Sequence, residues 1–125
     1  MTVMAICTPE LAHNHLLCIW PEPLDFRDLV MVLFLDRNHY IIGNEQLFTG
    51  GRTECTIDCY VPFTKALQFG AKAILMAHNH PSGNVVSSRN DEANAKKVEE
   101  AGRILKIEVA QMIISRSDFY VISFF

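Results

Sequence analysis

Residues 29–35 read LVMVLFL, an apolar run without a break. A strand sends successive side chains to opposite faces, so such a run is stable only where both faces of its sheet are covered. Lys72–Ala77 (KAILMA) is a second segment apolar enough to be central. Two such segments demand a sheet held between layers, and the rest of the chain has to supply those layers.

The helix signals supply them. Thr8-Pro9-Glu10 combines a capping hydroxyl, a proline at the first helical position and an acid in the first turn. It predicts a helix to about Trp20, ended by Pro21 and Pro23. Pro62 predicts a second helix that ends near Gly70, with Phe63, Ala66 and Leu67 on its inner side. Ser88 predicts a third, ending at Gly102. Between them, Tyr40–Phe48 returns from the turn Arg37-Asn38-His39 to make a hairpin with 29–35. Gly50-Gly51 breaks the chain, and Thr53–Val61 alternates as a further strand. A polar loop, His78–Ser87, follows KAILMA. Ile104–Ser115 and Asp118–Phe125 close the chain as two strands about the turn Arg116-Ser117. There are no repeats, linkers or low-complexity segments. The order predicts one domain over residues 1–125, α/β (α+β), with a mixed central sheet flanked by helices.

Composition narrows the function. Half of the 125 residues are hydrophobic, enough for a core without staples, so a metal here would serve chemistry rather than folding. The formal net charge is −3, and the one basic pair, Lys96–Lys97, has acids on both sides. There is thus no strong nucleic-acid signature. No stretch is long enough to span a bilayer and no signal peptide opens the chain, so no membrane role and a cytoplasmic location are expected. Edge strands in a small sheet leave a homodimer open. The four cysteines, Cys7, Cys18, Cys55 and Cys59, lack paired C-x-x-C spacing and are expected to be reduced, partly buried thiols. Cys55 and Cys59 would share one face of the Thr53–Val61 strand.

The chemistry concentrates at His78 and His80. On an extended chain i and i+2 share a face, so both imidazoles can address one ion. His13 and His15 have the same spacing, but inside a predicted helix, where such residues do not face each other. Two imidazoles rarely hold a catalytic zinc alone. A third ligand is needed, with a fourth position left for water. Asp91 is the nearest candidate, one turn into the helix that Ser88 begins. Ser88-x-x-Asp91 also matches a capping box, which needs no metal.

His78-x-His80, seven residues, Ser88, two residues, Asp91 resembles the JAMM signature of the JAB/MPN metallopeptidases. Within them, His78-Asn79-His80-Pro81-Ser82-Gly83 resembles the signature of the bacterial RadC-like group. Leu35-Asp36, Glu45-Gln46-Leu47-Phe48, Val61-Pro62, Lys65-Ala66-Leu67 and Tyr120–Phe124 follow in family order. The resemblance implies a cytidine-deaminase-like JAB/MPN fold and a zinc-dependent hydrolase of amide or isopeptide bonds in a peptide or protein. It implies that His78, His80 and Asp91 ligate zinc, that Glu45 holds or deprotonates the nucleophilic water, and that Ser88 stabilises the oxyanion. It also carries a DNA-repair association, as an accessory or interaction module whose zinc site is not used on peptides; the acidic net charge argues against direct duplex binding. Three features depart from the family. Phe63 stands where an Arg is common, Gln111-Met112 where an Asp-His pair is common, and the preceding helical region of many full-length relatives has no counterpart. Zinc nucleoside deaminases need H-x-E and P-C-x-x-C, which are missing. The letters HNH are a coincidental match to a nuclease family whose histidines are spread along the chain.

Overall fold

A computed structural model describes residues 5–48 and 59–125. Among them lie α1 (Pro9–Ile19), β1 (Leu29–Leu35), β2 (Ile41–Phe48), α2 (Tyr60–Phe69), β3 (Ala73–Asn79), α3 (Arg89–Leu105), β4 (Glu108–Ile114) and β5 (Phe119–Ser123). The strands form one sheet in the order β2-β1-β3-β4-β5. β3 and β4 are parallel and the other neighbours antiparallel, so the sheet is mixed, as the sequence predicts. A parallel pair needs a crossover, and α3 provides it.

The two apolar runs are central and buried. Met31, Leu33 and Leu35 of β1 face one side, packed with Leu75 of β3 against Ala12 and Leu16 of α1. Val30, Val32 and Phe34 face the other, packed with Ile74 and Met76 against Phe63 and Ala66 of α2 and Val98 of α3. Each large side chain so buried contributes about 1.5–3 kcal/mol relative to exposure, which is why these strands take the middle of the sheet.

Local chemistry sets the element ends. The Thr8 hydroxyl accepts from Leu11 N at 3.2 Å and starts α1. Asp36 turns the β1–β2 hairpin, its Oδ1 accepting from Asn38 N (2.8 Å) and Tyr40 N (3.0 Å) while His39 takes a left-handed φ of 64°. Gly70, at φ 71°, ends α2 where a side chain would be strained.

Several expectations are corrected. Residues 53–58 of the expected third strand lie outside the described residues. Its last positions are not strand: Cys59 caps α2, and Tyr60 and Val61 are helical. Pro62 therefore sits in the first turn but does not open it. Leu67 faces solvent, 59% exposed, because the inner stripe of α2 is Phe63 and Ala66. β3 runs on through His78 and Asn79, so the loop begins at His80. Cys7 and Cys18 are exposed; Cys59 is half-buried, and Cys55 lies outside the described residues. Phe63, at the first family departure, is a core residue, as is Met112. Gln111 is buried and its Nε2 donates to Ala95 O of α3 at 3.0 Å, so it pins the crossover helix to the sheet.

Gly102 does not end α3, which continues to Leu105 and stops at Lys106 in a left-handed φ of 57°. Its role is close approach. A Cβ there would lie 2.5 Å from Val109 Cγ2 and 2.7 Å from Ile107 O. Gly102→Ala gains up to about 1 kcal/mol of helix preference. Overpacking costs about 1–3 kcal/mol, so the substitution is expected to destabilise the fold. Urea unfolding reads the sign, and a stabilised variant would refute the close-approach role.

Candidate metal centre

The residues at the end of β3 alternate across the sheet. His78 continues the face of Ile74 and Met76, beneath α2 and α3, with Val30 on one side and Ile113 on the other. Asn79 turns to the opposite face and is fully buried. His80 returns beside His78, the ring centroids 5.3 Å apart. Loop 80–87 is short and ties itself down: Gly83 N donates to His80 O at 2.8 Å and Val86 N to Asn84 Oδ1 at 3.0 Å.

α3 then presents Asp91 to the pair. Ser88 caps the helix, its hydroxyl accepting from Asp91 N at 3.1 Å, while Ser88 N donates to Asp91 Oδ2 at 2.8 Å. The full capping box is present, and its carboxylate also faces both histidines. His78 Nε2 lies 3.2 Å from Oδ1, and His80 Nε2 lies 3.1 Å from Oδ2. Among the described residues these three are the one group of His, Cys, Asp and Glu side chains gathered closely enough to hold a metal ion. His13 and His15 do not converge. His13 is buried with Nε2 2.7 Å from Ser115 O, and burial lowers the pKa of His15.

Proton accounting shows what the cluster fits. His80 Nδ1 is 2.7 Å from Asn84 O. A carbonyl only accepts, so Nδ1 donates to it, and Nε2 is left facing the Asp91 carboxylate at 3.1 Å. His78 Nε2 is buried and makes no aligned hydrogen bond, despite its 3.2 Å approach to the carboxylate. Two imidazole nitrogens and a carboxylate thus converge in a partly buried place, each able to offer a lone pair to a cation. Ligand bonds of about 2.0 Å in a tetrahedron give an edge of about 3.3 Å, close to both separations. The residues fit a divalent metal with nitrogen and oxygen ligands. Burial by itself raises the Asp91 carboxyl, but the His78 ring and the Ser88 N–H and hydroxyl outweigh it and hold the group well below the ordinary carboxylate range.

A family model of the RadC-like JAB domain matches residues 2–124. The chain belongs to that family. A UPF0758 protein of Haemophilus influenzae is 37% identical over 95 residues, 75% of this chain and 43% of that protein. Another, from Haemophilus ducreyi, is 32% identical over 118 residues, 92% of this chain and 51% of that protein. A third, from Staphylococcus carnosus, is 36% identical over 83 residues, 66% of this chain and 37% of that protein. The chain spans about half the length of the curated relatives it matches. Its mixed five-stranded sheet flanked by helices is consistent with the JAB/MPN fold. No helix among the described residues is long and apolar enough to cross a membrane.

The remaining expected site residues of this RadC-like domain sit at different distances from the cluster. Ser88 is in it, through Asp91. Glu45 is on β2, half-buried, opposite Val32, whose other neighbour is Met76, two residues before His78. It shares the face of His78 but lies two strands away. Strands about 4.8 Å apart and a rise of about 3.4 Å per residue put the two Cα atoms on the order of 12 Å apart. That is too far for Glu45 to join the ligands, and near enough for the two side chains to reach a small molecule between them. Asn79 and the Asn84 carbonyl are supports the sequence did not disclose. Asn79 was expected in the polar loop, and its partners lie about the start of β1, remote in sequence.

Asp91→Asn is expected to have two separable effects. Loss of the N-terminal charge lowers metal-free stability by about 1 kcal/mol at neutral pH. Because the folded pKa of Asp91 is depressed, this loss is complete above the ordinary value of 3.8 and disappears as pH falls further. The variant also loses stabilisation by added zinc, which at 1,000 times Kd amounts to about 4 kcal/mol in the native chain. Melting curves with and without zinc read both effects. An unchanged zinc shift in the variant would remove Asp91 from the ligand set.

Proposed function

We propose that this RadC-like JAB domain is a zinc-dependent hydrolase of amide or isopeptide bonds in a peptide or protein. The observation that carries the reading is the convergence of three groups able to ligate a metal, His78 Nε2, His80 Nε2 and the Asp91 carboxylate, with the second nitrogen of His80 committed to Asn84 O. The type of bond follows from the resemblance of His78-x-His80, Ser88 and Asp91 to the JAMM signature of the metallopeptidases. Two imidazoles and one carboxylate form a ligand set of the kind that holds catalytic zinc. Bound there, zinc supplies Lewis acidity, which makes water nucleophilic near neutral pH and polarises a carbonyl.

The chain's own groups do the rest. The Glu45 carboxylate, on the His78 face but outside the ligand set, takes a proton from the attacking water and gives it to the leaving amine nitrogen. Water oxygen bonds to the carbonyl carbon, the C–N bond breaks, and carboxylate and amine leave. Ser88 uses an oxygen lone pair to accept from Asp91 N, and its O–H, turned from the Asp91 carboxylate, donates to the oxygen that gains charge. Ser82, Gly83, Asn84, Val86 and Ser88 are exposed along the loop beside the cluster. An open rim of this kind suits a chain-like substrate better than a small molecule that must be enclosed.

Two substitutions test the roles against a peptide and isopeptide substrate screen with zinc-loaded protein. Glu45→Gln keeps the metal and loses hydrolysis by about 100-fold or more, the share of general base catalysis. Retained turnover would take Glu45 out of the mechanism. Ser88→Ala is expected to lose about 100-fold in kcat and about 1 kcal/mol of stability, because one hydroxyl serves both the reaction and the helix cap. A loss of stability with kcat intact would leave Ser88 as a cap alone. Native protein that takes up no zinc from chelator-free solution would sink the whole proposal.

A further inference from the structure

Asn79, between the two histidines, points away from the cluster, and its side chain makes three hydrogen bonds. It is fully buried. Its Oδ1 accepts from Leu29 N at 2.9 Å, and its Nδ2 donates to Leu24 O at 2.6 Å and to Arg27 O at 2.9 Å. Both amide protons are therefore used. The last backbone pairing between β1 and β3 is Val30 with His78. One residue further on, the Asn79 side chain supplies the acceptor for Leu29 N in place of a backbone carbonyl. On its other side Asn79 still pairs with Ile114 of β4. The residue is held from three directions where the strand gives way to the loop.

That restraint bears on the histidines. His78 is fixed in the sheet, but His80 lies past its end, and its return to the His78 face depends on the backbone at Asn79. The segment that Asn79 grips has no regular structure and is braced by a two-pronged Arg27–Glu22 pair and by Phe26 N donating to Pro23 O. The amide therefore joins the end of β3 to a braced segment rather than to a free one.

We propose that Asn79 is a positioning residue of the metal centre: its amide locks the end of β3 so that His78 and His80 present their Nε2 atoms to one divalent cation. This rests on the metal reading of His78, His80 and Asp91. A role confined to folding would make the same three hydrogen bonds, so the test has to separate affinity from stability.

Zinc dissociation constants are measured by chelator competition on native protein, Asn79→Ala, Asn79→Ser and Gly102→Ala, at a temperature where circular dichroism shows each one folded. Gly102→Ala is the control, destabilised at the far end of α3 from Asp91. Asn79→Ala is expected to bind zinc about 10- to 100-fold more weakly, the usual effect of removing a group that orients ligands. Its cobalt-substituted form is expected to show shifted d–d absorption. Gly102→Ala is expected to match native protein in both. Asn79→Ser, which keeps a short hydroxyl that cannot span the three partners, is read in the same way should the alanine variant not fold. Native affinity and an unchanged cobalt spectrum in the Asn79 variants would overturn the proposal. Equal loss in Gly102→Ala would overturn it too, since weakened binding would then follow stability alone. Native protein that binds no metal would overturn the underlying site and this inference with it, an outcome distinct from an intact native site with indifferent Asn79 variants.

Discussion

The carboxylate of Asp91 is where the helix, the strand end and the chemistry meet. A carboxylate offers about four lone-pair sites, and the capping box occupies one, on Oδ2, with Ser88 N–H. Oδ1 is left toward His78, and the rest of Oδ2 toward His80. The cap and the ligand are therefore one geometry and not competing uses of the residue. The bond from Ser88 N fixes the carboxylate that a ligand needs fixed, while Asp91 N and the Ser88 hydroxyl complete the box from the other side. A helix start that would be commonplace elsewhere joins a cluster able to hold a metal ion because the crossover sets it over the end of β3.

This economy explains which parts of the site were legible in the sequence. The histidines were legible because strand alternation is a local rule, and helix geometry, equally local, tells against His13 and His15. Asp91 was legible as a cap, and its second use needed only the short return of the chain from β3 to α3. The supports of Asn79 are different. Leu24, Arg27 and Leu29 lie some 50 positions away, and no local pattern ties them to it. The Asn84 carbonyl that holds His80 Nδ1 is a backbone group, carrying no side-chain signal.

The fold divides along the same line. Elements marked by apolar runs or by caps, β1 and α1, fall where the sequence puts them, and β3 departs only by running on through His78 and Asn79. The errors sit where tertiary packing overrides a local cue. Gly102 looked like a helix stop, but it marks the close approach of α3 to Ile107 and Val109. Leu67 looked inward, yet α2 shows its core only Phe63 and Ala66 at that level. Gln111, a departure from the family pattern, reads in the fold as an anchor for the crossover helix, bonded one turn beyond Asp91.

Glu45 depends on a feature that alternation alone would have put wrong. Near the hairpin turn Leu35 pairs with Ile41, and a regular ladder from there would set Glu45 opposite Met31, on the α1 side of the sheet. The register slips between Phe34 and Leu35, so that Phe34 pairs with Gly43 and Val32 with Glu45. One extra residue reverses every later side chain. Ile41 accordingly packs on the α1 face, while Leu47, of the same parity, packs on the face of His78. Gly43, just past the slip, keeps the bulged strand close to Phe69 of α2, where an added Cβ would meet the ring at 3.4 Å. The proposed metal ligands come from one short crossover and need no such device. The carboxylate proposed to move the proton comes from the far side of β1, and a bulge at the hairpin turns it to the face of His78.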